Sequence, residues 1–209
     1  MKKILSVFLL ASIILLFGCN NQVEDNTKVI NPLPETLDIN ELDNCTVAVS
    51  LDKGDAKVSD SGKMEMDVTV YSYELYDIAD IASLNENDVI VRQNKEIKIS
   101  EIERLENGLV RINGGEENGG FDLVSNNSTV YYEIGMNDIK AYHELGEVTL
   151  PVSDKFEYVD ESNPDENVKT YFSEDFLNDS ISEYNFSPNN TSILIENGNI
   201  IKMIKSYMP

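Results

Sequence analysis

Three tyrosines near the middle of the chain carry the clearest recognition chemistry. Tyr71, Tyr73 and Tyr76 stand at the end of, and just after, an alternating run over 63–73. In that run Met64, Met66, Val68 and Val70 take one side, and Glu65, Asp67, Thr69, Tyr71 and Tyr73 take the other. A tyrosine strip beside Glu65 and Asp67 can stack sugars or peptide side chains. The competing reading is that a second layer covers this face and the rings are core, since aromatics are enriched in strands anyway. Tyr131 and Tyr132 point to opposite faces, so at most one of them joins such a surface.

Hard cations are the second chemistry these residue types invite, because calcium wants many oxygen ligands. Asp52, Asp55 and Asp60 share one loop, and Asp160, Glu161, Asn163, Asp165 and Glu166 share another. Asp52, Asp55, Asp160 and Asp165 are the candidate ligands. Neither loop has the alternating acid pattern of an EF-hand: Pro164 sits where a ligand is needed, and the first loop lacks a distal glutamate. In so acidic a chain the solvated-surface reading outweighs the metal reading. No motif requires a cofactor, and calcium is the one ion worth considering.

Catalytic constellations are sparse. Asp77 and Asp80 share a helix face by spacing, but hydrolytic carboxylate pairs flank their substrate from separate segments. His143 is the only histidine, and no serine sits in a Gly-x-Ser-x-Gly elbow. The glycine-rich stretch 113–120 lacks the Lys-Ser/Thr of a phosphate loop, and its central Glu116 and Glu117 repel phosphate. Cys45 lies in a strand-like run and reads as a small buried hydrophobe. No catalytic residue is assigned.

These groups need a scaffold, and the chain spells out a β-rich one. Short apolar runs separated by turn signals recur from residue 41 onward, the pattern of antiparallel sheets rather than βαβ units. Strands are expected at 46–51, 63–73, 89–91, 97–102, 121–124, 129–134, 147–152 and 156–159. Asn107-Gly108 and Asn197-Gly198 mark hairpins, because both residue types tolerate positive φ. Short helices are expected over 74–84 and 137–145, with Ser173 capping a third helical turn. The fold class is mainly β, an antiparallel small barrel or sandwich with one to three short helices. One β-rich domain spans 41–209, or two packed sub-barrels do.

The first residues read differently. Lys2 and Lys3 precede an apolar run over 4–17, which is shorter than the roughly 20 residues of a spanning helix. It ends in Leu16-Phe17-Gly18-Cys19. This resembles the lipobox of bacterial lipoproteins, with leucine at −3, a small residue at −1 and cysteine at +1; Phe17 departs from the small residue usual at −2. The resemblance implies a signal peptide over 1–18, cleavage behind Gly18, and acylation of Cys19. Residues 19–40, poor in apolar side chains and without a period, then read as a tether. Beyond this segment the chain resembles small acidic cell-surface lipoproteins only in style.

The whole chain carries 16 Lys+Arg against 38 Asp+Glu, a net charge of −22. Loss of Lys2 and Lys3 would leave 14 − 38 = −24 on the mature chain. Such a charge argues against nucleic acid, whose phosphates need a basic face. It argues equally against docking of the folded domain on anionic lipid. The expectation is a lipid-anchored, extracytoplasmic binding or accessory module at the outer membrane face or cell surface, with a glycan, peptide or protein partner. The alternatives are a carboxylate-dependent hydrolase of polymers and a calcium-stabilised adhesion domain.

Overall fold

The structure is a computed structural model that describes residues 27–52, 54–126, 129–178, 181 and 185–208. Cys19 and the signal segment lie outside the described residues. Along the chain run β1 (Val29–Ile30), β2 (Cys45–Ser50), β3 (Ala56–Val58), β4 (Met64–Ser72), β5 (Leu75–Asp77) and α1 (Ile78–Ser83). Next come β6 (Val89–Arg92), β7 (Lys95–Lys98), β8 (Ile102–Arg104), β9 (Val110–Ile112), β10 (Phe121–Asn126) and β11 (Val130–Ile134). The last third holds β12 (His143–Glu161), β13 (Lys169–Tyr171), α2 (Ser173–Leu177), β14 (Thr191–Glu196) and β15 (Asn199–Ser206).

Five of these strands close a barrel. β2 pairs with β4, β4 with β12, β12 with β15, β15 with β14, and β14 returns to β2. Every pairing is antiparallel except β12–β15. This is a five-stranded Greek-key barrel, the architecture of the OB-fold. The alternation read in the sequence builds it. Met64, Met66, Val68 and Val70 of β4 are all buried, each contributing about 1.5–3 kcal/mol by leaving water. β12 is long enough to serve two neighbours because bulges bend it, the first at Gly146 (φ +148°) and the second between Val152 and Glu157. The strands expected at 147–152 and 156–159 are therefore one element. Tyr158, Tyr171, Phe176 and Phe186 add a packed aromatic group to the barrel core, with centroids 5.4–6.2 Å apart.

A second core lies in the segment between β4 and β12. β5, β11, β10, β9 and β8 form an antiparallel sheet, and β1, β6 and β7 form a smaller one. Tyr76, Ile81, Ile90, Ile112, Phe121 and Leu123 are its buried centre. Arg104 donates from Nη2 to the carbonyls of Ile81 (3.0 Å), Ala82 (3.3 Å) and Leu84 (2.7 Å), closing the C-terminal end of α1. Chain 41–209 thus carries two hydrophobic cores, one of them inserted into the barrel between its second and third strands.

Three local expectations change. The helix expected over 137–145 is a 3₁₀ turn, Met136–Asp138, followed by the start of β12. Asn137 (φ +62°) and Asp138 (φ +59°) leave helical space, and Ile134 bridges Lys140. The first half of the helix expected over 74–84 is strand β5, and only Ile78–Ser83 is helical. Phe172, not Ser173, occupies the N-cap of α2, where Asp175 accepts its N–H at 2.7 Å.

Residues 27–40, read as the outer part of a tether, are docked. Val29 and Ile30 pair in parallel with Val89 and Ile90, and Lys28 reaches Asp80 (2.7 Å) and Ser83 (2.8 Å). Leu33 N–H donates to the Leu75 carbonyl at 2.6 Å, while Leu37 and Ile39 pack on the barrel core. This strap joins both cores. Ile30 serves the lobe core while Leu37 and Ile39 serve the barrel core, so no single period marks it. No helix among the described residues is long and apolar enough to cross a membrane.

Candidate functional site

Strand β4 carries its two expected groups to different places. A strand rises about 3.3 Å per residue, so Asp67 and Tyr73 stand roughly 20 Å apart along it. At its start Asp67 binds Lys57 Nζ from β3 and accepts Thr149 Oγ1 at 2.6 Å. These contacts hold the Asp67 carboxyl below its usual range, with the Lys57 hydrogen bond the leading cause. Asp67, Lys57, Thr69, Glu147 and Thr149 line a small polar cleft, and Glu65 stands half-buried opposite Lys57.

At the far end Tyr71 and Tyr73 line a groove of about 950 Å³ between the barrel and the inserted lobe. Tyr71 shares a hydrogen bond with Ser50 Oγ (3.1 Å). Tyr73 meets Tyr132 and Tyr142 edge-on, with centroids 5.7 and 5.6 Å away. Lys140 Nζ lies 4.2 Å above the Tyr73 ring and 5.5 Å from that of Tyr132, so the chain's own ammonium fills this aromatic cage. Burial alone would lower the Lys140 pKa. The Tyr73 hydroxyl and the other two tyrosines more than offset this and hold it above the usual lysine value. Burial pushes the Tyr142 hydroxyl up, so it stays protonated.

The other walls come from three parts of the chain. The strap supplies Pro32 to Leu37, β2 supplies Thr46 and Ala48, and the turn into β14 with that strand's first residues supplies Asn189 to Ser192. His143 Nε2 faces Glu35 at 3.8 Å across the groove. Glu35 Oε1 accepts the N–H groups of Thr36 and Leu37, both at 3.0 Å. Glu74 accepts Gln93 N–H at 2.8 Å and the Tyr76 hydroxyl at 2.9 Å. The two glutamates therefore brace the walls.

Of the remaining candidates, Tyr76 is core, fully buried in the inserted lobe, while Tyr132 joins the cage and Tyr131 packs into the lobe. The four residues expected on one face, Tyr71, Tyr73, Glu65 and Asp67, thus divide between groove and polar cleft.

Of the metal candidates, Asp55 and Asp160 use carboxylate oxygens locally, and Asp52 and Asp165 donate their backbone N–H groups to neighbours. Asp55 Oδ2 accepts Asp52 N–H at 2.6 Å, and Asp160 Oδ1 accepts both N–H (3.0 Å) and Oγ (2.5 Å) of Ser162. Asp165 N–H bonds Asn163. Among the described residues no three His, Cys, Asp or Glu side chains gather as a metal ion would require. Asp77 caps α1 through Ala79 N–H (2.8 Å), and Asp80 pairs with Lys28, so both acids serve the helix and strap. Cys45 is half-buried. Burial, then the charge of Asp43, raises its thiol pKa, the opposite of what a nucleophile needs. In the glycine-rich turn Asn113 Oδ1 accepts Ser100 N–H (2.8 Å), and its Nδ2 donates to Lys98 O (3.0 Å), which makes the turn part of the lobe's framework.

Sequence reasoning missed Lys140, Tyr142 and the strap residues. Lys140 and Tyr142 fell inside the expected helix, and the strap inside the expected tether. Compared with known proteins, the chain matches no family model, no curated protein and no solved structure.

Proposed function

We propose that this protein is a membrane-anchored, extracytoplasmic binding module whose ligand lies in the groove lined by Tyr71, Tyr73 and Tyr142. The observation that carries the reading is that groove. It has about the size of a ligand site, and its wall presents three half-buried aromatic rings backed by two rigid cores. The anchor is Cys19, and two or more acyl chains on it retain a protein stably where one does not. Seven residues lie between Cys19 and Thr27, so the eight Cα–Cα steps reach at most ~28 Å. The strap that walls the groove thus stays near the membrane, and the ligand is an envelope or surface component.

Binding is favoured over turnover because both glutamates at the groove are engaged as hydrogen-bond acceptors of their own walls. A general acid must instead offer a proton to its substrate. The test uses the immobilised full chain and a Thr46→Arg variant, which fills the groove from an exposed strand position. Both are incubated with solubilised envelope and extracellular polymer, and retained sugar and amino acid are quantified. The reading expects wild-type retention that the variant loses; equal retention by both contradicts it. Intact mass of the membrane-associated protein tests the anchor. An acylated chain beginning at Cys19 is expected, and an unmodified Cys19 refutes it.

A further inference from the structure

Resting on that reading, we infer that the groove binds a neutral oligosaccharide, an uncharged pyranose chain packed against Tyr71, Tyr142 and the side of Tyr73 away from Lys140. The first argument is charge. Over the whole chain 26% of residues are charged, which would put about 7 charges among the 27 residues lining the groove. Only Glu35, Glu74 and Lys140 are there. In a protein of net charge −22, this groove holds two acids where the chain's composition would place about five. The three charges are also spoken for: Glu35 and Glu74 by backbone N–H groups, and Lys140 by the tyrosine rings. An anionic ligand meets the repulsion of the surrounding acids. A cationic ligand finds the aromatic cage already filled by Lys140.

The second argument is the kind of polar group that replaces the charges. Thr36, Thr46, Ser72, Asn94, Asn189 and Ser192 offer hydroxyls and amides around the rings. Such groups both donate and accept, as sugar hydroxyls do. The ring faces, negative by their quadrupole, attract the C–H faces of pyranoses.

The third argument separates sugars from extended peptides. Peptides of that kind join a free strand edge through main-chain hydrogen bonds. Here the barrel strands at the groove are paired around a closed ring, and the Leu75 carbonyl of β5 already accepts Leu33 N–H. Side-chain recognition is what the groove has to offer.

Three of the chain's ten tyrosines line the groove and there is no tryptophan, so a saturable change in tyrosine fluorescence reports binding, and the groove variants assign it to the site. The full chain in detergent is titrated with four neutral hexamers, built from glucose, mannose, galactose and N-acetylglucosamine. A galacturonate hexamer and a pool of extended nonapeptides serve as comparisons. The inference expects saturable binding of at least one neutral hexamer and at least a tenfold loss of affinity in both Tyr73→Ala and Thr46→Arg. Tyr207→Ala, at an exposed position outside the groove, binds unchanged. Thr46→Arg keeps the test sound if Tyr73→Ala loosens the tyrosine packing. Binding of a neutral hexamer that survives Thr46→Arg overturns the site. Binding of peptide or galacturonate alone, lost in Thr46→Arg, overturns the ligand class and leaves the binding module standing. Binding of none of the probes overturns the inference.

Discussion

The Arg92–Glu133 pair offers the sharpest energetic prediction, because its two halves are buried unequally. Arg92 donates from Nε to Glu133 Oε2 at 2.7 Å and from Nη2 to Oε1 at 2.5 Å. The Glu133 side chain is 9% exposed and that of Arg92 30%. Arg92 also lies 5.2 Å from the Phe121 ring centroid. The Glu133 hydrogen bond, the leading cause, raises the Arg92 pKa further. Arg92→Ala strands a buried carboxylate without its two charge-assisted bonds, at a cost of about 3–5 kcal/mol. Glu133→Ala leaves a guanidinium that keeps its aromatic contact and can turn to water, at a cost of about 1–2 kcal/mol. The double change Arg92→Met with Glu133→Leu should return to within ~1 kcal/mol of wild type, because it removes both desolvated charges together. Urea unfolding followed by circular dichroism and tyrosine fluorescence measures all three. Equal costs for the two single changes, or a double variant weaker than Arg92→Ala, would refute the reasoning.

Other perturbations follow from the same geometry. Gly120→Ala would place a Cβ 1.9 Å from the Ile112 carbonyl oxygen and should cost about 3 kcal/mol, a fall in Tm of ~9 °C by calorimetry. Gly108→Ala, with nothing within 4 Å and only its positive φ to strain it, should cost about 1 kcal/mol in the same assay. Arg104→Ala removes the cap of α1 and should lower stability by about 1–2 kcal/mol, with faster amide exchange at 78–84. The folded-state pKa of Asp67 is depressed, so its stabilisation is full above the unfolded carboxylate pKa and is lost as pH falls through the folded value. Asp67→Asn should therefore flatten the acid limb of the stability profile, by less than ~1 kcal/mol because the pair is exposed to solvent.

The barrel was legible where periodicity is local. The alternation over 63–73 became β4, and Asn197-Gly198 became a hairpin turn with both residues at positive φ. Two local patterns misled. Ile139, Tyr142 and Leu145 repeat at helical spacing, yet Asn137 and Asp138 turn the backbone left-handed and the stretch enters a strand. The strap 28–42 shows no single period because Ile30 fills the core of the inserted lobe while Leu37, Ile39 and Leu42 pack on the barrel core. The parallel pairing of β12 with β15 is set by barrel closure, which no local pattern encodes. The same limit governed the site. Tyr71 and Tyr73 were visible as candidates from the strand alone. Lys140 and Tyr142 reach the groove only because a lobe of about 70 residues is inserted and the chain returns beside β4, and Thr191 because β14 closes the barrel against β2. Glu65 and Asp67 share the side of the strand with the tyrosines but not the end, a distinction of length that alternation does not carry.

Amide hydrogen exchange of the full chain, with and without solubilised envelope and extracellular polysaccharide, tests the central claim most directly. A ligand seated in the groove should slow exchange at 71–75, 140–145 and 188–192, three of the stretches that line it, and leave 55–67 and 147–149 around the polar cleft unchanged. Protection confined to the polar cleft or to the α2 end of the barrel, with the groove stretches exchanging as before, would contradict the assignment of the groove as the site of binding.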